Sequence, residues 1–179
     1  MKILAIPSQV VALLTFPGVV LHQVVEQLFC RWRRVAVGDV SYIRFGTPPG
    51  FVLHERPVTV RQALLIGLGP FFVNSLLAAL MAFPFVLPAL EFRVSATQGY
   101  ILAWLSVSIA MHSFPNADET GDLWRAVRSP RSSTLTRLLA TPLVGFMYVG
   151  ALGRLVFLDL LYGLGVLVLA PALLLYVLP

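Results

Sequence analysis

The stretch FPGVVLHQVVEQLFC, residues 16–30, is an apolar run of the length of a helix that contains two ionisable side chains. His22 and Glu26 are four residues apart, so on a helix both side chains lie on the same face. Ionisable groups inside a membrane span are costly and by default mark a functional site. Two roles are open for this pair: the residues bind one metal ion, or they form a buried hydrogen-bonded pair that ties the helix to its neighbours.

The composition of the whole chain is that of an integral membrane protein. Of its 179 residues, 58% are hydrophobic and 12% are charged, whereas about 25% of the residues are charged in soluble domains. The mean hydropathy is +0.86, and several segments reach the about 20 apolar residues that one membrane helix needs. The single cysteine, Cys30, excludes an internal disulfide framework.

We predict an all-α integral membrane helical bundle of about four or five transmembrane helices with a short membrane-associated β-hairpin, forming a single domain over residues 1–179. The predicted spans are residues 3–30, 63–90, 98–113 and 138–178. The last span is divided into two helices by Gly150, Gly153, Arg154 and Asp159. The β-rich runs on both sides of the turn signal GTPPG predict a hairpin over residues 35–56. No cleavage site follows the N-terminal apolar stretch, so we expect it to be retained.

The basic residues predict the orientation of the chain in the membrane. Residues 31–62 and 114–137 together hold ten of the 13 Lys and Arg residues. Two spans separate these segments, so both lie on one side, and the positive-inside rule places them in the cytoplasm. We therefore expect a multi-pass protein of a prokaryotic cytoplasmic membrane, with the lipid bilayer as its first partner. Nucleic acid is not an expected partner, because the basic residues flank spans and do not line one helix face.

The third span ends in a polar motif that could complete a site with the first. In MHSFPNADETGDLW, residues 111–124, the Asp118 carboxylate could join the His/Glu pair of the first span, and His112 could add a further donor. The alternative is that Asn116 or Asp118 caps the following helix.

Two other polar features fall between these segments. In GLGPFFVNS, residues 67–75, the Asn74 amide could hold an extended backbone or form a hydrogen bond to a neighbouring helix. In GFVLHERP, residues 50–57, the dipeptide His54-Glu55 has no second ligand four residues later. We expect this dipeptide to be the solvated end of the hairpin.

Four motifs, taken in order, resemble the site-2-protease family of intramembrane zinc metalloproteases. That family carries HExxH on a membrane helix, then a membrane-associated β-hairpin, a GPxxN-like motif, and an LDG or PxxD-like motif with the third ligand. The corresponding pieces here are HQVVE at 22–26, the hairpin around GTPPG, GPFFVN at 69–74 and FPNAD at 114–118. The resemblance covers roughly residues 12–125, within a predicted core of residues 1–125. The C-terminal transmembrane hairpin, residues 138–179, lies beyond it.

The resemblance implies a zinc site in which His22 is the first ligand, Glu26 takes the place of the second histidine, and Asp118 is the third ligand. It also implies that Asn74 helps to hold the substrate backbone. Gln23 stands where the family has the glutamate that acts as general base. The ligand set is more oxygen-rich than zinc usually prefers. An amide cannot accept a proton from metal-bound water, and general-base help is worth about 100- to 10,000-fold in rate.

Two function hypotheses follow. In the first, the protein has weakened or lost proteolytic activity and binds or regulates a transmembrane segment in the former substrate groove. In the second, it is an active zinc-dependent intramembrane metallopeptidase with a rearranged site of His22, Glu26 and Asp118, with His112 as an additional donor. A channel or transporter subunit ranks last, because runs such as LLAALMAFPFVLP offer almost no polar path through the membrane.

Overall fold

A computed structural model of the protein describes residues 8–46, 48–85 and 94–177. In these residues the chain forms seven α-helices and one two-stranded hairpin. The elements are α1 (Ser8–Leu14), α2 (Phe16–Trp32), β1 (Val37–Ser41), β2 (Phe51–His54), α3 (Val60–Ala82), α4 (Ala96–Met111), α5 (Ala117–Arg128), α6 (Thr134–Gly153) and α7 (Leu158–Val177). The predicted helical bundle with a small hairpin is confirmed at this level. Residues 3–7, 86–90 and 178 of the predicted spans, and with them the retained N-terminus, lie outside the described residues.

Three helices, α3, α6 and α7, are long and apolar enough to cross a membrane, and α4 is apolar but shorter, at 16 residues. Each of the three contains an internal proline, at Pro70, Pro142 and Pro171, which membrane helices tolerate better than soluble ones do. On α7 the side chains of Leu169 and Leu173 are 60% and 63% exposed. Such an apolar outer surface suits contact with lipid chains.

The first predicted span, residues 3–30, is two helices and not one. α1 and α2 are separated at Thr15, and Pro17 lies in the first turn of α2. Proline is well placed there because its missing N–H would have no partner in any case, whereas inside a continuous helix its ring clashes with the preceding turn. The last predicted span divides in two as expected, at a turn in which Phe157 has the left-handed conformation with φ of 59°.

The start of α2 packs closely against the end of α4. The backbone N–H of Gly18 donates to Ser108 Oγ at 2.9 Å, and that hydroxyl donates to the Thr15 carbonyl oxygen at 2.8 Å. A Cβ atom added at Gly18 would lie 2.0 Å from the Ser108 carbonyl oxygen. Small residues allow this kind of backbone approach between membrane helices. Glycine at this position therefore allows the short distance between the backbones of α2 and α4.

Gly18→Ala is expected to destabilise the protein by about 1–3 kcal/mol, because the added methyl group overlaps backbone that cannot move aside. The matched control is Gly145→Ala in α6, where nothing lies within 4 Å of an added Cβ. Alanine there should be neutral or stabilising by up to about 1 kcal/mol. Thermal unfolding of both variants in detergent measures the difference. Equal melting temperatures for the two variants would show that α2 and α4 do not pack as described.

The hairpin lies on the HQVVE turn of α2. β1 and β2 pair antiparallel, with a bulge next to Val37. The Tyr42 hydroxyl donates to Gln27 Oε1 at 3.0 Å. A Cβ added at Gly50 would lie 3.0 Å from Gln23 Cγ. The end of the β1–β2 loop therefore packs against Gln23, the residue that follows His22.

Candidate metal site

Two helices bring three potential metal ligands together. His22 and Glu26 on α2 and Glu119 on α5 each offer one donor atom, and these atoms all lie within 4.8 Å of one another. His22 and Glu26 are 5% and 3% exposed. In a tetrahedral zinc site with bonds of 2.0–2.2 Å, neighbouring ligand atoms are about 3.3–3.6 Å apart. The separation of His22 Nε2 from Glu119 Oε2 is 3.5 Å, and movements of about 1 Å would bring the third donor into the same geometry.

Glu119 is held in place by the N-terminus of α5. Asn116 is the N-cap residue, and its side-chain oxygen accepts from the backbone N–H of Glu119 at 2.9 Å. In return, the backbone N–H of Asn116 donates to Glu119 Oε2 at 3.0 Å, and the Asn116 amide donates to Glu119 Oε1. This reciprocal capping box fixes the rotamer of the carboxylate. The remaining lone pairs of Glu119 are then available on the side that faces His22.

The hydrogen bond at the far side of the His22 ring decides which nitrogen faces the carboxylates. His22 Nδ1 lies 2.6 Å from the carbonyl oxygen of His112. A carbonyl oxygen only accepts, so Nδ1 carries a proton and donates it. In the neutral imidazole, Nε2 then holds a lone pair that points at Glu119. A cation between this lone pair and that of Glu119 Oε2, which lies 3.5 Å from Nε2, would interact favourably with both, whether it is a proton or a metal ion. Histidine ligands of metals usually have such a backbone acceptor behind them.

The Glu119 carboxyl group is suited to act as an anionic ligand. Burial raises its pKa, but a hydrogen bond from the His22 ring and the charge of that ring, the backbone hydrogen bond from Asn116 and the charge of Arg154 outweigh burial, so the pKa of Glu119 lies below its usual range. The carboxylate therefore stays ionised at neutral pH. Metal ions bind deprotonated ligands.

Ionised Glu119 should stabilise the metal-free protein, and this contribution depends on pH. Because the pKa is lower in the folded protein than the ordinary value of 4.5, the stabilisation is present above that value and is lost as the pH falls through the folded pKa. We expect the difference in melting temperature between wild type and Glu119→Gln to shrink on acidification below about pH 4.5. Melting curves in the presence of a chelator measure it. A difference that stays constant down to acidic pH would show that ionised Glu119 does not stabilise the folded protein.

A small cavity adjoins these groups. Its volume is about 20 Å³, which is enough for one water molecule or one ion. The lining residues are Val19, His22, Gln23, Pro48, Pro49, Gly50, His112, Asn116, Glu119 and Arg154. Gln23 is 5% exposed, and neither its Oε1 atom nor Oε2 of Glu26 has a hydrogen-bond partner among the described residues. Gln23 lines the cavity, and Glu26 belongs to the three-donor group. A bound cation or a hydrogen-bond donor would satisfy their unpaired buried oxygens.

The structure brings together some of the predicted site residues and separates others. His22 and Glu26 lie together as predicted, but the carboxylate beside them belongs to Glu119. The side chain of Asp118 is exposed, and its backbone N–H donates to the Asn116 cap. Asp118 and Glu119 are adjacent on α5, and a one-residue step along a helix turns the side chain through about 100°. Only one of the two side chains can therefore face His22, and it is that of Glu119.

The other two predicted residues have different surroundings. The His112 ring lines the cavity, but its Nε2 lies 2.7 Å from Thr15 Oγ1 and its carbonyl oxygen accepts from His22. His112 therefore positions His22 and is not in the three-donor group. Asn74 is fully buried in α3, and neither atom of its amide has a hydrogen-bond partner among the described residues. It does not line the cavity beside His22.

Two residues near the site were assigned other roles or none from the sequence. His54 was expected to be the solvated hairpin end, yet its Nε2 lies 3.7 Å from Glu26 Oε1 and its side chain is only 19% exposed. Arg154 lies in the turn between α6 and α7, lines the cavity, and donates to the carbonyl oxygen of Phe114. The C-terminal part of the chain thus reaches the site, which no motif indicated.

No protein-family model matches the chain, and no curated protein and no solved structure matches it.

Proposed function

We propose that the chain is a membrane-embedded metal-binding protein of the site-2-protease type, with weakened or lost proteolytic activity, that holds a transmembrane segment of a substrate or partner. The observation that carries the proposal is that donor atoms of His22, Glu26 and Glu119 lie within 4.8 Å of one another, beside a small cavity that His22, Gln23 and Glu119 line. One imidazole and two carboxylates form a donor set that zinc accepts. A bound zinc ion would supply a Lewis acid at the cavity.

Gln23 supports binding over cleavage. It lines the cavity next to the metal-binding groups, where hydrolysis would need a group that accepts a proton. An amide is not such a group, and the absence of a general base lowers the rate by about 100- to 10,000-fold. The unpaired Oε1 atom of Gln23 can accept a hydrogen bond from the backbone N–H of a held segment. The unpaired Asn74 amide offers the same chemistry within α3.

The same proposal includes the orientation of the chain in the membrane. The apolar helices lie in a cytoplasmic membrane as a multi-pass bundle, and the basic segments 31–62 and 114–137 lie on the cytoplasmic side. Support comes from α5, which carries Glu119 near its start and has Arg125 and Arg128 in its last turn. The metal site would then lie near the cytoplasmic face, where basic side chains can contact anionic lipid headgroups.

The second candidate function is an active intramembrane metallopeptidase with a rearranged site. The observation that favours it is the presence of a second carboxylate in the three-donor group. With Glu119 as the anionic ligand, Glu26 is available as the general base that Gln23 cannot be. This arrangement differs from the set of His22, Glu26 and Asp118 that the resemblance implies.

The experiment that separates these functions uses full-length protein reconstituted in lipid vesicles with a synthetic single-span peptide that carries a fluorophore at each end. We expect energy transfer from protein tryptophan to a peptide fluorophore to show that the peptide binds, and mass spectrometry to show that it remains intact. Cleavage that a chelator stops and that His22→Ala abolishes would contradict the proposal and favour the active enzyme.

A further inference from the structure

We propose that His54, at the end of the hairpin, is a fourth ligand of the metal site, so that the bound ion links the hairpin to α2. This inference rests on the proposed metal site. His54 Nε2 lies 3.7 Å from Glu26 Oε1, and the two side chains are 19% and 4% exposed. That separation is longer than a normal N–H···O hydrogen bond of about 2.7–3.2 Å. It is close to the distance of about 3.3–3.6 Å between neighbouring ligands in a tetrahedral site.

The His54 ring is arranged in the same way as the ring of His22. His54 Nδ1 lies 2.7 Å from the carbonyl oxygen of Glu55, so Nδ1 is the donor and, in the neutral ring, Nε2 holds the lone pair. That lone pair faces Glu26, whose other oxygen has no hydrogen-bond partner among the described residues. The site thus has two contacts in which a ring Nε2 faces a carboxylate, and one cation between the four groups would satisfy both.

The alternation of side chains along β2 places His54 on the face of the hairpin that is partly buried. Side chains alternate along β2, so Val52 and His54 share one face and Leu53 lies on the other. Leu53 is 62% exposed, while Val52 and His54 are partly buried. His54 lies outside the group of donors within 4.8 Å of one another, and we infer that metal binding draws it in. A two-stranded hairpin can move by this amount because it has no further strands to hold it.

A fourth protein ligand changes what the metal can do. Structural zinc sites have four protein ligands, whereas catalytic sites keep one position open. With His22, His54, Glu26 and Glu119 as ligands, the site is closed. The ion would then hold the hairpin, and with it Pro48, Pro49 and Gly50, over the cavity.

The test is zinc affinity of the full-length protein in detergent, measured by competition with a coloured chelator. Loss of a residue that hydrogen-bonds to a metal ligand costs about 10- to 100-fold in affinity, so loss of a direct ligand in His54→Ala should cost at least this much. Glu55→Gln is the matched control, because Glu55 is the next residue along and its side chain is exposed. We expect the control to bind zinc as wild type does, and circular dichroism to show that both variants are folded.

A second variant reports coordination directly. In His54→Cys loaded with Co²⁺, a thiolate at this position should produce a sulfur-to-cobalt charge-transfer band that wild type, with its buried Cys30, does not show. Equal zinc affinity of wild type and His54→Ala, with no new band in His54→Cys, would overturn the role of His54 and leave the three-ligand site intact. Failure of wild type itself to bind zinc would overturn the proposed function.

Discussion

Glu119→Gln is expected to lower the zinc affinity of the purified protein by at least about 10- to 100-fold, whereas Asp118→Asn leaves it unchanged. The reason is placement: the Glu119 carboxylate lies 3.5 Å from His22 Nε2, and the Asp118 side chain is exposed. The two variants remove the same charge from adjacent residues of α5, so they are matched in their effect on the helix dipole and on the net charge.

The choice of glutamine separates ligand loss from loss of the helix cap. Glu119 is the third residue of α5 and closes the capping box with Asn116, and glutamine also serves at that position. Glu119→Gln should therefore fold, and a chelator competition assay measures its affinity for zinc. Equal loss of affinity in Glu119→Gln and Asp118→Asn would show a general electrostatic effect and contradict the assignment of Glu119 as a ligand.

The second large effect is expected for hydrolysis. If wild type lacks both a general base and an open metal position, the double variant Gln23→Glu with His54→Ala supplies both. Its rate on a synthetic single-span peptide should exceed that of wild type by about 100- to 10,000-fold, which is the usual worth of a general base. Quantitative mass spectrometry of the peptide fragments measures the rate.

Two controls make this result interpretable. Addition of His22→Ala to the double variant should remove all cleavage, because the metal is lost. Each single variant should cleave more slowly than the double variant, since either the base or the open position is still missing. Wild type that cleaves as fast as the double variant would show that Gln23 is no barrier and that Glu26 serves as the base.

Much of the fold could be predicted because it follows from local chemistry. Long apolar runs predict helices, and the GTPPG signal between β-rich runs predicts the hairpin, which forms with β1 and β2 inside residues 35–56. The break at Thr15 was missed although Pro17 marks it, because hydropathy does not change across residues 3–30. Apolar composition gives the extent of a lipid-facing segment but not the continuity of its hydrogen bonds.

The candidate site could be predicted only in part, because its residues come from elements whose contacts no short motif encodes. The spacing of His22 and Glu26 on one helix face was enough to bring these two together. The choice between Asp118 and Glu119 depends on where α5 begins, and the Asn116/Glu119 capping box was the sequence signal that could have decided it. His54 belongs to a hairpin whose packing on α2 is tertiary, so spacing along the chain could not place it beside Glu26.

The metal site is tested by calorimetric titration of metal-free, full-length wild-type protein with zinc. The comparison is the triple variant His22→Ala, Glu26→Gln, Glu119→Gln. We expect wild type to bind about one ion per chain, with proton release that depends on pH as expected for histidine and carboxylate ligands, and the triple variant to bind none. Wild type that binds no zinc, or binds it no better than the triple variant, would contradict the proposed metal site.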